Sequence, residues 1–207
     1  MLAPRGQAPA VAAALAAGLC TYILSPWAMV PGIVLVAVIV WAFYEPCVTT
    51  PSLPLAAVSP LTATVQSVAI KLDPWLKERK TVRIALRVPL PGIATVRAPL
   101  EGKIVDFRVR GGVNKHDQSE GSPTCYTLRL RTDEDDDIVI AIYGRRHISR
   151  FKASVAPGER VGHGRPLGFI FFATVVTVYL PNGSDCQLGV GERVAAGGSV
   201  LATLVRD

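Results

Sequence analysis

The four cysteines of this 207-residue chain, at positions 20, 47, 125 and 186, include no C-x-x-C pair. Their scatter excludes the spacing of a zinc site or a dithiol redox motif, and they read as buried or incidental thiols of a reducing compartment. The three histidines, His116, His147 and His163, are equally isolated. A lone histidine is more often structural or solvated than a ligand, so no metal is expected. Charge is missing from the front: no Asp, Glu, Lys or Arg lies between Arg5 and Glu45. Helical periodicity is missing after residue 80, which excludes a helical body. The run GFIFFATVVTVYLP, residues 168–181, has no charge and no Ser, Cys or His.

The uncharged front holds two apolar stretches, AVAAALAAGLCTYIL and MVPGIVLVAVIVWAFY, on either side of Ser25 and Pro26. At about 16 residues and about 1.5 Å per residue each reaches roughly 24 Å, short of the roughly 30 Å of a bilayer core. Residues 1–45 are therefore expected to form a hydrophobic helical hairpin that anchors the chain, spanning a thin bilayer or dipping in and returning. Trp27 at the turn and Trp41, Phe43 and Tyr44 at the exit are residues that favour membrane interfaces. A cleaved signal peptide would leave the second stretch in place as an anchor. Bulky Leu19 argues against lipoprotein processing at Cys20. Basic residues after the anchor favour a β domain on the cytoplasmic side.

A chain of this length holds one compact domain and an appendage, here residues 46–207 after the hairpin. The net charge of +6 comes without the aromatic-basic modules of RNA-binding domains, so nucleic acid is not expected and anionic phospholipid is the simpler partner. In KLDPWLKERK, residues 71–80, Trp75 and Leu76 sit among Lys71, Lys77, Arg79 and Lys80. That pattern suits an interfacial lipid contact, and equally a solvated turn with one packed tryptophan.

From about residue 57 the apolar pattern has period two. TVRIALRV (81–88) sets Val82, Ile84, Leu86 and Val88 against Arg83, Ala85 and Arg87, and KIVDFRVR (103–110) sets Val105, Phe107 and Val109 against Asp106, Arg108 and Arg110. Both predict half-buried strands. CYTLRLRT and DIVIAIYG flank DEDDD, residues 133–137, which reads as a hairpin loop because calcium loops need alternating ligands and a glycine turn. GERVGHGRPLGFIF from Gly158 repeats as GERVAAGGSVLATL from Gly191, with glycines shared at 164 and 197. Each copy reads as turn, short strand, glycine turn and strand. The body is therefore expected to be mainly β, a β sandwich of the barrel-sandwich kind. Repeats of this sort also occur in lipoyl carriers, but no lysine turn accompanies them here. GFIFFATVVTVYLP, closed by Pro181, Asn182 and Gly183, predicts one central strand buried on both faces.

The order of these pieces carries a resemblance. An apolar hairpin ending in FYEP (43–46), then SPLTATVQSV (59–68), IATVRAPLEGKI (93–104) and GERVG…GFIFFATVVTVYLP (158–181) resembles the short bacterial and archaeal type of phosphatidylserine decarboxylase, from about residue 30 to the C terminus. In that family the pieces read approximately FRDP, SPADGKV, VHVNRAPVSG and FGSRVDVYLP. The resemblance implies a proenzyme that cuts itself at a Gly-Ser bond, turning the serine into a pyruvoyl group that serves as electron sink for loss of CO2. An Asp and a His are implied as the proton-transfer partners of that serine.

Carried over residue by residue, the serine position falls on Ala173, preceded by Phe172 in place of glycine. The His position falls on Ala94, and the Asp position on Thr62, followed by Ala63. Arg97, Ala98 and Pro99 are retained. Alanine has no hydroxyl, so no pyruvoyl cofactor is expected. Thr174 cannot substitute, since one step along a strand reverses the face. Other Gly-Ser pairs stand at 121–122, 183–184 and 198–199 without a nearby base. The expectation is a membrane-associated, non-catalytic member of the family that binds phospholipid, associates with itself or partners an active decarboxylase, with Arg97, Trp75 and Lys77 as candidate lipid contacts. The alternative is an active decarboxylase with a displaced processing site.

Overall fold

In the computed structural model the residues described are 55–76, 79–89, 93–111, 124–144, 149–171 and 173–205, with the single positions 34, 49, 51 and 53. The chain divides into two compact units, Met1–Cys47 and Val48–Asp207. The expected hairpin of residues 1–45 lies outside the described residues but for position 34. No helix among the described residues is long and apolar enough to cross a membrane.

The second unit is built of strands, as the period-two pattern requires. In chain order they are β1 (Ala56–Val58), β2 (Ala63–Leu72), β3 (Lys80–Arg87), β4 (Ile93–Arg97), β5 (Gly102–Gly111), β6 (Thr124–Arg131) and β7 (Asp137–Gly144). There follow β8 (Arg150–Ala153), β9 (Arg160–Val161), β10 (Pro166–Phe171), β11 (Ala173–Pro181), β12 (Arg193–Val194) and β13 (Val200–Thr203). Eight of them form one sheet in the order β12-β2-β3-β11-β7-β6-β5-β9. Two smaller sheets, β4-β10-β8 and β1-β13, complete the unit. All pairings are antiparallel.

Alternation decides which side chains enter the main core. Ile84, Leu86, Val176, Val178, Ile140, Ile142 and Leu128 of the large sheet share one buried cluster with Val96, Leu167 and Ile170 of the three-stranded sheet and with Ala57 and Leu201 of the two-stranded one. The opposite face of the large sheet holds a smaller cluster, Cys125, Val139, Ala141 and Tyr179, on which Trp75, Leu76 and Tyr143 pack. Cys125 is buried and Cys186 half-buried.

The repeat is folded as one motif used twice. Gly158 and Gly191 both have φ near +91°, and Gly164 and Gly197 have φ of 69° and 70°, conformations open to glycine and strained for other residues. Gly158 N–H donates to Ile104 O at 2.7 Å and Ile104 N–H to Glu159 O at 2.9 Å. In the second copy Gly191 N–H donates to Val65 O at 2.8 Å and Val65 N–H to Glu192 O at 2.9 Å. The partners are themselves related: SPLTATV (59–65) and APLEGKI (98–104) occupy equivalent places. Val58 N–H donates to Pro99 O at 2.8 Å while Arg97 N–H donates to Pro60 O at 2.7 Å, a reciprocal exchange across a pseudo-two-fold. This second half of the repeat was invisible in sequence, because only the proline and leucine at 60–61 and 99–100 are shared.

Two sequence expectations are corrected. GFIFFATVVTVYLP is two strands: β10 ends at Phe171 as the middle strand between β4 and β8, and β11 starts at Ala173 between β3 and β7. The chain passes from one sheet to the other between Phe171 and Ala173, and an uncharged run carries no residue that marks the crossing. In β5 the period-two face fails, because a bulge shifts the register between Ile104 and Asp106. Ile104 is buried and Phe107 packs on the core, while Val105 is 38% and Val109 54% exposed. One extra residue reverses the facing of everything on one side of it. β2 has its bulge at the equivalent place, between Val65 and Ser67.

Candidate functional site

The passage from β10 to β11 brings two of the predicted positions to one junction. On the β10 side Ala94 of β4 lies opposite Ile170, and Ile93 opposite Phe171. On the β11 side Ala173 lies opposite Gly144 of β7, with a register shift before Val175. Ala173 is 3% exposed and belongs to the main core cluster, on which half-buried Ala94 also packs. Both methyl groups are thus part of the apolar interior. Phe172 lies outside the described residues.

Thr62 has a different environment. It is exposed in the turn ahead of β2, and its hydroxyl accepts a hydrogen bond from Ala196 N–H at 3.2 Å. It therefore caps the glycine turn of the second repeat copy. Thr174, next to Ala173, donates its hydroxyl to Tyr143 O at 3.3 Å, and its own carbonyl accepts from Val88 N–H at 3.2 Å. Its polar groups are engaged in joining β11 to its neighbours. Among the other Gly-Ser pairs, Ser184 donates to Pro181 O at 2.8 Å and Ser199 accepts from Ala195 N–H at 3.0 Å, both within their own turns. The pair at 121–122 lies outside the described residues.

Of the candidate lipid contacts, Arg97 and Trp75 belong to different elements. Arg97 ends β4 and donates from Nη1 to Gly164 O at 3.2 Å. Trp75 belongs to the turn between β2 and β3, where it packs on the small cluster over the large sheet. Lys77 lies outside the described residues. The turn is locked by Asp73, whose Oδ1 accepts Trp75 N–H at 2.8 Å and whose N–H donates to Arg79 O at 2.8 Å. Arg79 in turn donates from Nη2 to Asp137 O at 2.7 Å. These contacts form a turn in which Trp75 packs on the sheet.

Sequence reasoning missed a polar group on the same face. Asp137 closes the acidic hairpin loop and accepts from Arg129 at 3.0 and 2.6 Å and from Arg131 at 3.1 and 3.4 Å. Burial pushes the Asp137 carboxyl up, but the hydrogen bonds and charges of Arg129 and Arg131 outweigh it and hold the group below its ordinary range. Two more carboxylates of the loop are paired, Asp133 with Arg160 and Asp135 with Arg131. Asp73 goes the other way: desolvation raises its pKa against the opposing pull of Trp75 N–H and Arg79, and its Oδ2 is buried without a partner. Tyr143 is pushed up by burial and by neighbouring Tyr179 and Cys125. A pocket of about 40 Å³ lined by Trp75, Leu76, Asp106, Arg108, Arg129 and Val139 opens on this face. The alternation of Arg129 and Arg131 ahead of the acidic run that ends in Asp137 was the available sequence signal. It needed the hairpin register to be read.

Comparison with known proteins finds relatives along most of the chain. A phosphatidylserine decarboxylase proenzyme of Nitrosomonas eutropha is 28% identical over 198 residues, covering 94% of this chain and 91% of the relative. Proenzymes of the same name from Aromatoleum aromaticum and Mycolicibacterium vanbaalenii are each 28% identical, over 86% and 96% of this chain and 83% and 87% of their own lengths. No family model matches, and no solved structure matches. The relatives support membership of the chain in the phosphatidylserine decarboxylase family. What the fold and the relatives define together is a β-rich chain similar to phosphatidylserine decarboxylase proenzymes.

Proposed function

We propose that this chain is a non-catalytic, membrane-associated phosphatidylserine decarboxylase-like protein, which binds phospholipid or partners an active enzyme of phospholipid metabolism. The observation that carries the reading is the methyl group of Ala173 buried in the core at the β10–β11 junction. A pyruvoyl group of the kind the resemblance implies arises from a serine hydroxyl, and neither Ala173 nor Ala94 offers an oxygen or a base. The residues at this junction do not fit that group. Thr62 has a hydroxyl, but it caps the turn at Ala196. An apolar filling in place of polar chemistry removes the cost of burying unpaired groups, so the scaffold gains in stability what it loses in reactivity.

Membrane association rests on the uncharged front of the chain, and its cytoplasmic orientation on the basic residues that follow. The names of the relatives favour the rival reading, a working decarboxylase with a displaced processing site. Intact-mass measurement of the purified chain separates the two. A single uncut chain supports the non-catalytic reading, and two fragments with a carbonyl-blocked N terminus establish the rival.

A further inference from the structure

Among the described residues, β5 has a partner along only part of its outer edge. β9 covers only Gly102 and Lys103, and the turn at Gly158 and Glu159 takes both backbone groups of Ile104. From Asp106 to Gly111 no described residue pairs with the outer side of β5. Past the bulge at Val105, strand alternation places the N–H and C=O of Phe107 and Val109 on that open side. An open row of backbone donors and acceptors is a template for another strand unless something blunts it.

The side chains along this edge specify what fits. Residues 105–109 read Val-Asp-Phe-Arg-Val, symmetric about Phe107 in apolar character and opposite in charge. Val105 and Val109 are exposed, and the side chains of Asp106 and Arg108 are 36% and 62% exposed. Asp106 and Arg108 share one face of the strand, where they form an ion pair at 2.5 Å. Phe107 points to the other face and stacks on Phe151 with centroids 5.7 Å apart.

We propose that two copies of this chain pair antiparallel along β5, with the two-fold axis at Phe107. In that register Asp106 faces Arg108 of the second copy, Arg108 faces Asp106 of the second copy, and Val109 lies over Val105 of the second copy. The interface is isologous, as closed dimers require. Charge excludes the neighbouring registers. An axis at Asp106 sets that carboxylate against itself, and an axis at Arg108 sets guanidinium against guanidinium, both destabilising. The twin edge of β2, Ser67–Leu72, exposes Ile70 and Leu72 but has only Lys71 as a charge and selects no register. The pairing extends the large sheet through both copies and leaves the Ala173 junction untouched, so it holds whether or not the chain is catalytic.

Charge reversal tests it on the full-length chain in mild detergent, by sedimentation velocity across a dilution series. The wild type is expected to be dimeric. Asp106→Arg and Arg108→Asp each place like charges across the seam twice and are expected to raise the dimer dissociation constant roughly tenfold or more. The double variant D106R/R108D restores complementarity and is expected to restore the dimer. A monomeric wild type, single variants that stay fully dimeric, or a folded double variant that stays monomeric overturns the proposal. Hydrogen exchange on the wild type gives a readout that needs no variant: protection at Phe107 and Val109 rises with protein concentration if the seam exists. Protection independent of concentration overturns the proposal.

Discussion

At position 173 the side chain is a methyl group packed in the core, and at position 94 another methyl group packs on the same cluster. Chemistry at such a place needs a nucleophile and a base together, since a hydroxyl at its ordinary pKa is a weak nucleophile. Ala173→Ser alone is therefore expected to leave the chain uncut on incubation, as read by denaturing electrophoresis. Cleavage of the single variant would show that Thr62 and Ala94 are not the positions that matter. A second residue-scale prediction concerns Asp137. Its pKa is lower folded than unfolded, so its contribution to stability is present above the ordinary value of about 3.8 and is lost as pH falls through the depressed folded value. Asp137→Asn is expected to lower the melting temperature at pH 7, with the difference from wild type shrinking in more acidic buffer. A pH-independent difference would contradict the ion-pair account. Asp73 has the opposite sign. Its raised pKa costs stability as pH rises above about 3.8, so Asp73→Asn, which keeps an acceptor for Trp75 N–H, is expected to stabilise at pH 7 and not in acid.

Elements show how far the sequence could be read. Period two gave β3, β6 and β7 close to their ends, and DEDDD is the hairpin loop it was expected to be. Three things escaped it for physical reasons. The bulge at Val105 breaks the alternation with no glycine or proline to announce it. The crossing from β10 to β11 lies inside a run in which every residue is apolar or small enough to be buried. The pairing of 58–60 with 97–99 is a contact between distant segments that share little sequence. The proposed loss of chemistry at 94 and 173 rests on resemblance alone, because nothing about a buried alanine marks it as standing at a reactive position. One glycine tests the packing of the small sheet. A Cβ on Gly168 of β10 would lie 2.5 Å from Lys152 O and 2.8 Å from the Phe151 ring. The first clash is with backbone and cannot be relieved by a rotamer change, so Gly168→Ala is expected to cost about 1–3 kcal/mol in urea unfolding. A neutral substitution would mean that β8 and β10 are not held in the register described.

For the whole molecule the proposed division of labour is an apolar front that meets the membrane and a β unit that carries the family scaffold without its reactive group. The first half predicts that the full chain floats with anionic liposomes and that deletion of residues 1–45 abolishes flotation. The Trp75 turn is packed onto its own sheet, so retained, salt-sensitive binding by the truncated chain would contradict its assignment as a structural turn. The second half is tested most directly by the intact mass of the full-length chain purified under native conditions. The account predicts one species at 22.1 kDa, with the unmodified Ala173 present in an uninterrupted peptide. Two species from internal cleavage, the C-terminal one blocked by a group that reacts with hydrazine, would contradict it and make the protein an active decarboxylase that processes itself elsewhere.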